Sequence, residues 1–197
     1  MILEHERASD SGLQPPLTET VELTTHSGFS FQVRSADERD EAVVAEFFTH
    51  VTPDDLRFRF LSAIQKVGHA QLALLTHADD RRVKNFLAFD IGTGCLLASA
   101  MLGIEEGLEH AEVAIVIRSD FKNRGIGWTL LNHAGEQAAA MGVRTLQAVE
   151  SQDNRSAIQV ERDMGFTSRP YPGDAALTLL EKSLVPAGAE VIERSAA

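Results

Sequence analysis

The sequence predicts an α/β (α+β) fold in which a mixed, largely antiparallel sheet of six to seven strands has helices on both faces. The stretch 29–34 alternates apolar and polar residues, as a half-buried strand does. Three β-like segments follow at 83–90, 95–104 and 110–118, and the short turns between them imply antiparallel neighbours. Residues 126–141 carry apolar side chains at helical spacing. This succession of strands and helices predicts one layered domain.

Capping patterns place the two helices that follow the first strand. Ser35-Ala-Asp-Glu38 has the form of a capping box and predicts a helix over 36–49. Thr52-Pro-Asp-Asp55 combines a capping hydroxyl with a proline suited to the first turn, so we expect a second helix from residue 52. The continuation 56–60 alternates like a strand, but the cap favours the helix. The remaining predicted elements are a strand at 143–149, a helix at 154–164 and a strand at 175–182.

Domain boundaries are predicted from local composition. Residues 1–28 are acidic, include a Pro-Pro pair and show no sustained period, which predicts a flexible N-terminal arm. Residues 29–184 contain all the predicted elements and form the expected domain. Residues 185–197 are rich in alanine and are expected to be a flexible C-terminal tail.

Charge and composition argue against several classes of protein. The 197 residues include 18 Lys+Arg and 29 Asp+Glu, a formal net charge of −11, which disfavours binding to nucleic acid. No apolar run approaches the roughly 20 residues of a membrane helix, and no secretory signal is visible. The single cysteine, Cys95, permits no disulfide within the chain and favours a cytoplasmic location. No His/Cys/Asp spacing resembles a metal site, so we expect no metal. A homodimer is compatible with this composition.

The most informative segment is a strand at 111–117 that leads through a basic turn to Gly125-Ile-Gly127. Glycines let the main chain approach a ligand closely, and the first N–H groups of the following helix attract anions such as phosphates. Lys122 and Arg124 add positive charge to the turn. The P-loop pattern is absent, and the third glycine of a dinucleotide fingerprint is replaced by Leu130. A turn that simply admits a helix is the remaining alternative.

Two motifs resemble those of a known family. Lys122-Asn-Arg-Gly-Ile-Gly127 resembles the Gln/Arg-x-x-Gly-x-Gly/Ala pyrophosphate loop of the GCN5-related N-acetyltransferase (GNAT) family, with Lys122 in the first position. Asn154-Arg-Ser-Ala-Ile158, followed by Gly165-Phe166, resembles the second signature of that family. Thr52–Phe60 and Ala111–Ile117 are similar to segments of the acetyltransferase domain of bacterial protein-lysine acetyltransferases. The resemblance covers about residues 29–184 and implies acetyl-CoA as a cosubstrate.

The resemblance also implies which residues bind acetyl-CoA. The glycine loop would hold the diphosphate, the main chain of the preceding strand would contact the thioester, and Asn154 would bond to the pantetheine or to nearby backbone. Because Asn is also a preferred helix N-cap, capping is the alternative role of Asn154. The expected cofactor-binding residues are Ile115, Ile117, Lys122, Asn123, Arg124, Gly125, Ile126, Gly127 and Asn154.

Amine acetylation requires a base, because a lysine ammonium with a pKa of about 10.4 is almost wholly protonated at neutral pH. The resemblance places an acidic residue on the strand before the loop, and Glu112 is the predicted catalytic base. A glutamate in solvent, or one paired with Arg118 or Arg144, is the alternative. His110 is a rival base because imidazole titrates near neutrality, and we expect it on the opposite side of the strand from Glu112.

The acid that would protonate the leaving thiolate is missing from the second motif. Many members of the family carry a Tyr seven residues after the signature Asn, where this chain has Glu161. The one tyrosine, Tyr171, lies outside the motif. We expect Glu161 to be a solvated helix residue, and the thiolate to leave unassisted or with the help of a water.

These residues predict an acetyl-CoA-dependent N-acetyltransferase that transfers an acetyl group directly to a primary amine, which we expect to be a protein lysine side chain. A small-molecule amine, such as a polyamine, an aminoglycoside or an amino acid, is the first alternative acceptor. A non-catalytic acyl-CoA-binding regulatory module is the second alternative, suggested by the missing motif tyrosine. The acceptor site is expected to be lined by residues from about 52 to 66.

Overall fold

The computed structural model describes residues 20–62, 66–76 and 82–185, which form an eight-stranded sheet with five α-helices. The fold class is as predicted, with one strand more than the six to seven expected. The strands are β1 (Val21–Thr24), β2 (Ser30–Ser35), β3 (Val83–Asp90), β4 (Leu96–Ile104), β5 (His110–Ile117), β6 (Thr145–Ser151), β7 (Thr167–Tyr171) and β8 (Asp174–Ser183). The helices are α1 (Glu41–Phe48), α2 (Pro53–Phe60), α3 (His69–Thr76), α4 (Ile126–Ala140) and α5 (Arg155–Asp163).

The order of strands in the sheet is β1-β2-β3-β4-β5-β6-β8-β7. Every neighbouring pair is antiparallel except β5 and β6, which run parallel. β5 and β6 pair over a short stretch only, from His110 opposite Thr145 to Glu112 opposite Gln147. Beyond that point the two strands separate, and the gap between them is the most important feature of the sheet.

The two faces of the sheet are covered by different helices. On β3, Phe86 and Ala88 pack with α4 and with Ile158 of α5, whereas Leu87 between them packs with α1 and α3. This follows from the alternation of side chains along a strand. Each face therefore buries its own apolar core, as the prediction of helices on both faces requires.

Helix caps agree with the sequence at α2 and differ at α1. Asp37, rather than Ser35, caps a 3₁₀ turn at Glu38–Asp40, and the Asp40 carboxylate accepts the reciprocal bond from the Asp37 N–H at 2.9 Å. The predicted capping box is therefore shifted by two residues, because the chain remains extended through Ser35 in β2. At α2 the Thr52 hydroxyl accepts from the N–H of Asp55, as expected.

Three elements were not predicted from the sequence, namely β1, α3 and β7. β1 lies within the expected flexible arm and pairs along its whole length with β2; its side chains are mostly exposed, so it shows no apolar alternation. β7 is exposed throughout and contains Pro170, which is tolerated because β7 is an edge strand. Residues 1–19 of the arm and 186–197 of the tail lie outside the described residues. None of the described helices is long and apolar enough to cross a membrane.

Candidate active site

A cavity of about 270 Å³ opens where β5 and β6 separate. The N–H of Arg118, directly after β5, donates to the carbonyl of Leu97 in β4, at 2.8 Å. Since N–H groups alternate between the two edges of a strand, those of Ile115 and Ile117 point away from β4, toward the gap. The structure thus places the main chain of both predicted residues on the wall of the cavity.

The glycine loop forms one end of the cavity. Gly125 has a φ of 82°, a left-handed conformation that side chains rarely adopt, and a Cβ there would lie 3.1 Å from the Thr25 Cβ. A Cβ at Gly127 would lie 3.0 Å from the Ile117 Cδ1. No side chain caps α4 among the described residues, so the N–H groups of its first turn are available to an anion.

The basic residues of the loop are held in different ways. The Lys122 Nζ lies 2.6 Å from each carboxylate oxygen of Asp55 on α2. The Arg124 guanidinium lies over the rings of Phe29 and Phe121, at 5.6 Å and 4.6 Å from their centroids. Both side chains belong to exposed residues. The loop therefore offers positive charge at the surface, beside the free end of α4.

The turn between β1 and β2 supports the glycine loop. The Ser27 hydroxyl donates to the main-chain carbonyl of Arg124 at 3.1 Å, and the buried Thr25 packs against Gly125. The Thr25 hydroxyl also accepts from the N–H of Phe29 at 3.1 Å, which fixes the turn itself. Because Thr25 and Ser27 lie in the expected arm, sequence reasoning did not include them in the site.

Glu112 is an exposed residue on the wall of the cavity. The alternative pairings with arginine are not formed, because Arg118 pairs with Asp120 and Arg144 with Glu109. The expectation that His110 points to the opposite side was wrong, since residues two apart on a strand share a side. His110 instead lies 3.2 Å from the Gln147 amide and does not line the cavity.

Glu150, at the end of β6, is a second carboxyl in the cavity. Burial raises its pKa to about 7, although a hydrogen bond from Asn154 and the charge of Arg59 both favour the ionised form. The Asn154 amide donates to the Glu150 Oε2 at 2.7 Å. Asn154 precedes α5 but makes no side-chain cap, so its side chain serves the site rather than the helix end. The sequence signal that could have identified Glu150 is an acidic residue directly after the predicted strand 143–149.

Glu161 is buried, whereas the sequence led us to expect a helix residue in solvent. The residue is only 5% exposed and lines the cavity, and its Oε2 has no hydrogen-bond partner among the described residues. Burial, with a contribution from the charge of Glu150, raises the pKa of Glu161 to about 9. The carboxyl is therefore protonated at neutral pH. The error arose because the sequence does not show which side of α5 faces the gap in the sheet.

Arg59 of α2 completes the polar part of the cavity. Its Nε and Nη2 atoms are shielded from solvent and have no hydrogen-bond partner among the described residues. Burial lowers the pKa of Arg59 to about 10, while Glu112 and Glu150 favour its charged form. The side chain is therefore a cation at neutral pH. Within the described ranges, no group of three or more His, Cys, Asp or Glu residues could hold a metal ion.

The fold and the cavity are those of an acyltransferase domain with a separated parallel strand pair. Residues 46–166 match the model of the acetyltransferase (GNAT) family. Because this match covers more than half of the chain, the protein belongs to the GNAT family of acetyltransferases, which transfer an acetyl group from acetyl-CoA to an amine.

Solved structures with the same fold include enzymes of several kinds. The GNAT domain of S. lividans PAT has a TM-score of 0.76 and 23% identity, covering 83% of this chain and 96% of that chain. Spermidine N-acetyltransferase from Vibrio cholerae, in complex with CoA and spermine, has a TM-score of 0.64 and 15% identity, covering 78% and 95%. Ribosomal-protein-S5-alanine acetyltransferase from Vibrio fischeri has a TM-score of 0.62 and 16% identity, covering 83% and 96%.

Proposed function

We propose that this acetyltransferase acts on lysine side chains of proteins, with acetyl-CoA bound along the cavity between β5 and β6. One observation carries the proposal: the cavity has the anion-binding end of α4 at one end and the carboxyls Glu112 and Glu150 on its walls. The loop N–H groups would bind the diphosphate. The N–H groups of Ile115 and Ile117 would contact the thioester carbonyl and stabilise the oxyanion that forms during acyl transfer.

The carboxyls would supply the base. Glu112 or Glu150 accepts a proton from the lysine ammonium, directly or through a water, and the neutral amine attacks the thioester carbon. The tetrahedral intermediate then collapses: the C–S bond breaks, the nitrogen gives up its second proton to a water, and an amide and a CoA thiolate result. Glu112 is the more exposed of the two candidates. Glu150, with a pKa of about 7, is tuned to accept a proton near neutrality.

A protein acceptor is favoured by the open side of the cavity. Glu112 is exposed there, and Leu61 on the rim is 41% exposed, so a side chain carried by a large molecule has access. The formal net charge of −11 favours approach of a cationic residue such as lysine. The PAT and ribosomal-protein acetyltransferase structures share this fold and support a macromolecular acceptor. We propose a cytoplasmic location, where such acceptors and acetyl-CoA meet.

Mass spectrometry tests this function directly. The purified chain is incubated with acetyl-CoA and a cell lysate, and acetylated lysines are identified; spermidine is assayed in parallel. Time-dependent lysine acetylation supports the proposal, whereas turnover of spermidine alone would assign a small-amine acceptor. CoA binding without acetylation of any amine would indicate a regulatory module.

Variants of the two carboxyls identify the base. We expect kcat to differ between Glu112→Gln and Glu150→Gln. The variant that lacks the base should show the larger loss. Glu109→Gln is the matched control, because Glu109 lies just before the same strand, pairs with Arg144 and does not line the cavity. Full activity of Glu112→Gln at neutral pH would remove that residue as the base.

A further inference from the structure

Arg59 lines the cavity, and the transfer reaction as described above does not use it. Two of its nitrogen atoms are shielded from solvent without a hydrogen-bond partner among the described residues. Buried donors in proteins are almost always paired, and leaving one unpaired is costly. Since the side chain lines the cavity, the missing partner is expected on a bound molecule.

The position of Arg59 points to the acceptor rather than to acetyl-CoA. Ala111 and Val113 pack in the core with α4, whereas Val116 packs in the core with α1 and α3. The side chains of Glu112 and Val116 lie on the same side of β5, because they are an even number of residues apart. Arg59 belongs to α2, and Leu56 of that helix packs in the same core as Val116. A base must reach the amine, and with Glu112 in that role the acceptor lies on the side that Glu112 and Arg59 share.

The charges near Arg59 define which group it can bind. Glu112 and Glu150 already favour the charged guanidinium, so a further carboxylate on the bound molecule is not required. The unpaired N–H groups need an acceptor atom, and a neutral carbonyl oxygen supplies one. A polyamine has no such atom and would bring a further cation toward the guanidinium. A lysine within a polypeptide has main-chain carbonyls close to its side chain.

We propose that Arg59 donates hydrogen bonds to a main-chain carbonyl of the acceptor, and that this contact selects a peptide lysine over amines that lack a carbonyl. The inference rests on the proposed acetylation of protein lysines and names the feature of the acceptor that the site recognises. It makes Arg59 a specificity-determining residue of α2.

Two acceptors that differ in their carbonyls test the role of Arg59. Nα-acetyl-lysine N-methylamide carries an amide on each side of its Cα, whereas pentylamine presents the same primary amine without any carbonyl. Initial rates with acetyl-CoA are measured for the full chain and for Arg59→Met and Arg59→Lys. We expect the wild type to prefer the lysine amide by about tenfold to a hundredfold in kcat/KM, and Arg59→Met to lose that preference. Arg59→Lys keeps the charge and is expected to retain only part of the preference for the lysine amide.

Arg57→Met is the matched control, because Arg57 is on the same helix, pairs with Asp54 and Asp153, and does not line the cavity. It is expected to keep the wild-type preference. CoA affinity, measured by calorimetry for every variant, reports whether the fold and the cofactor site are intact. Equal losses for both acceptors in Arg59→Met, or a loss of CoA affinity, would overturn the proposal, because Arg59 would then act on the carboxyls or on the cofactor.

Calorimetry tests the role of Arg59 independently of whether the protein acetylates lysines. The lysine amide is titrated into the chain saturated with CoA, so that no reaction is needed. Binding to the wild type that Arg59→Met weakens at least tenfold would support the role of Arg59 even if neither amine were acetylated. Binding that is unchanged by Arg59→Met would contradict that role even if acetylation of lysines were demonstrated.

Discussion

The Lys122 Nζ lies 2.6 Å from both carboxylate oxygens of Asp55, so an ion pair joins the glycine loop to α2. Asp55 is one helical turn before Arg59 and also lines the cavity. The helix beside the proposed acceptor site is therefore tied to the loop that we expect to bind the diphosphate of acetyl-CoA. A diphosphate that engages Lys122 has to compete with Asp55 for the ammonium.

Replacing Asp55 should consequently tighten cofactor binding. Asp55→Asn releases Lys122 and removes a negative charge near the diphosphate. Because exposed ion pairs contribute about 0.2–1 kcal/mol, we expect the Kd for CoA to fall by up to about fivefold at low salt. Calorimetry at two salt concentrations measures the effect, which should shrink as salt screens the charges. Asp54→Asn, whose carboxylate lies 3.9 Å from Arg57, is the control, and weaker binding in Asp55→Asn would contradict this account.

Gly125 should not tolerate a side chain. Gly125→Ala forces a left-handed φ of 82° on alanine and places its Cβ 3.1 Å from the Thr25 Cβ. The conformational cost alone is about 1–2 kcal/mol, so relaxation of the loop should raise the Kd for CoA by about tenfold or more. Gly92→Ala is the control, since its turn requires no left-handed φ and its nearest neighbour is 3.5 Å away. Wild-type CoA affinity in Gly125→Ala would show that the loop is not the diphosphate site.

Ser27, in the turn after β1, should strengthen cofactor binding because it supports the glycine loop. Ser27→Ala removes the hydroxyl that donates to the Arg124 carbonyl. One such hydrogen bond contributes about 0.5–1.5 kcal/mol, so we expect a rise of up to about tenfold in the Kd for CoA, with kcat unchanged. Ser30→Ala, which removes the bond to the Thr24 hydroxyl in the same hairpin, should leave the Kd for CoA unaltered. A fall in kcat without a change in Kd would point to another role for Ser27.

The pH dependence of the rate should report Glu150 if that residue is the base. Its pKa of about 7 means that the ionised form accumulates only as the pH rises through neutrality. The rate should therefore rise about tenfold per pH unit below 7 and level off above it. Asn154→Ala removes a hydrogen bond that lowers this pKa, so the rise should move to higher pH. A profile unchanged by both Asn154→Ala and Glu150→Gln would exclude Glu150 as the base.

Glu161 should make the fold less stable as the pH rises. Its carboxyl loses a proton near its ordinary pKa of 4.5 when unfolded but near 9 when folded, so the folded chain binds more protons between these values. The free energy of unfolding should fall across this window by at most about 1.4 kcal/mol per pH unit. Glu161→Gln should remove this contribution, so that its stability relative to the wild type grows with pH. Urea unfolding at several pH values measures the difference.

Glu136→Gln is the control for that series, because Glu136 is exposed on α4 and bonds to Asn132. The difference between this variant and the wild type should be small and should not grow with pH. A Glu161→Gln variant that follows the pH dependence of the wild type would show that Glu161 ionises normally in the folded protein.

The elements with strong local patterns were predicted well from the sequence. β3 has the predicted bounds, and α2 begins with the expected Thr52 cap, because alternation and capping depend on neighbouring residues. β1 and β7 were missed for the opposite reason. Both are edge strands with exposed side chains, so their conformation depends on pairing with β2 and β8 rather than on burial of their own residues.

The sequence by itself determined the family and the glycine loop, because both depend on residue types at fixed spacing. The resemblance to that family also implied Glu112 as the base, which stays a prediction. Only the tertiary structure decided the environments of Arg59, Glu150 and Glu161. These three side chains come from α2, β6 and α5 and meet in one cavity because β5 and β6 separate beyond Glu112. Burial sets the pKa of each group, and burial at this gap is a property of the assembled sheet and helices that local spacing does not encode.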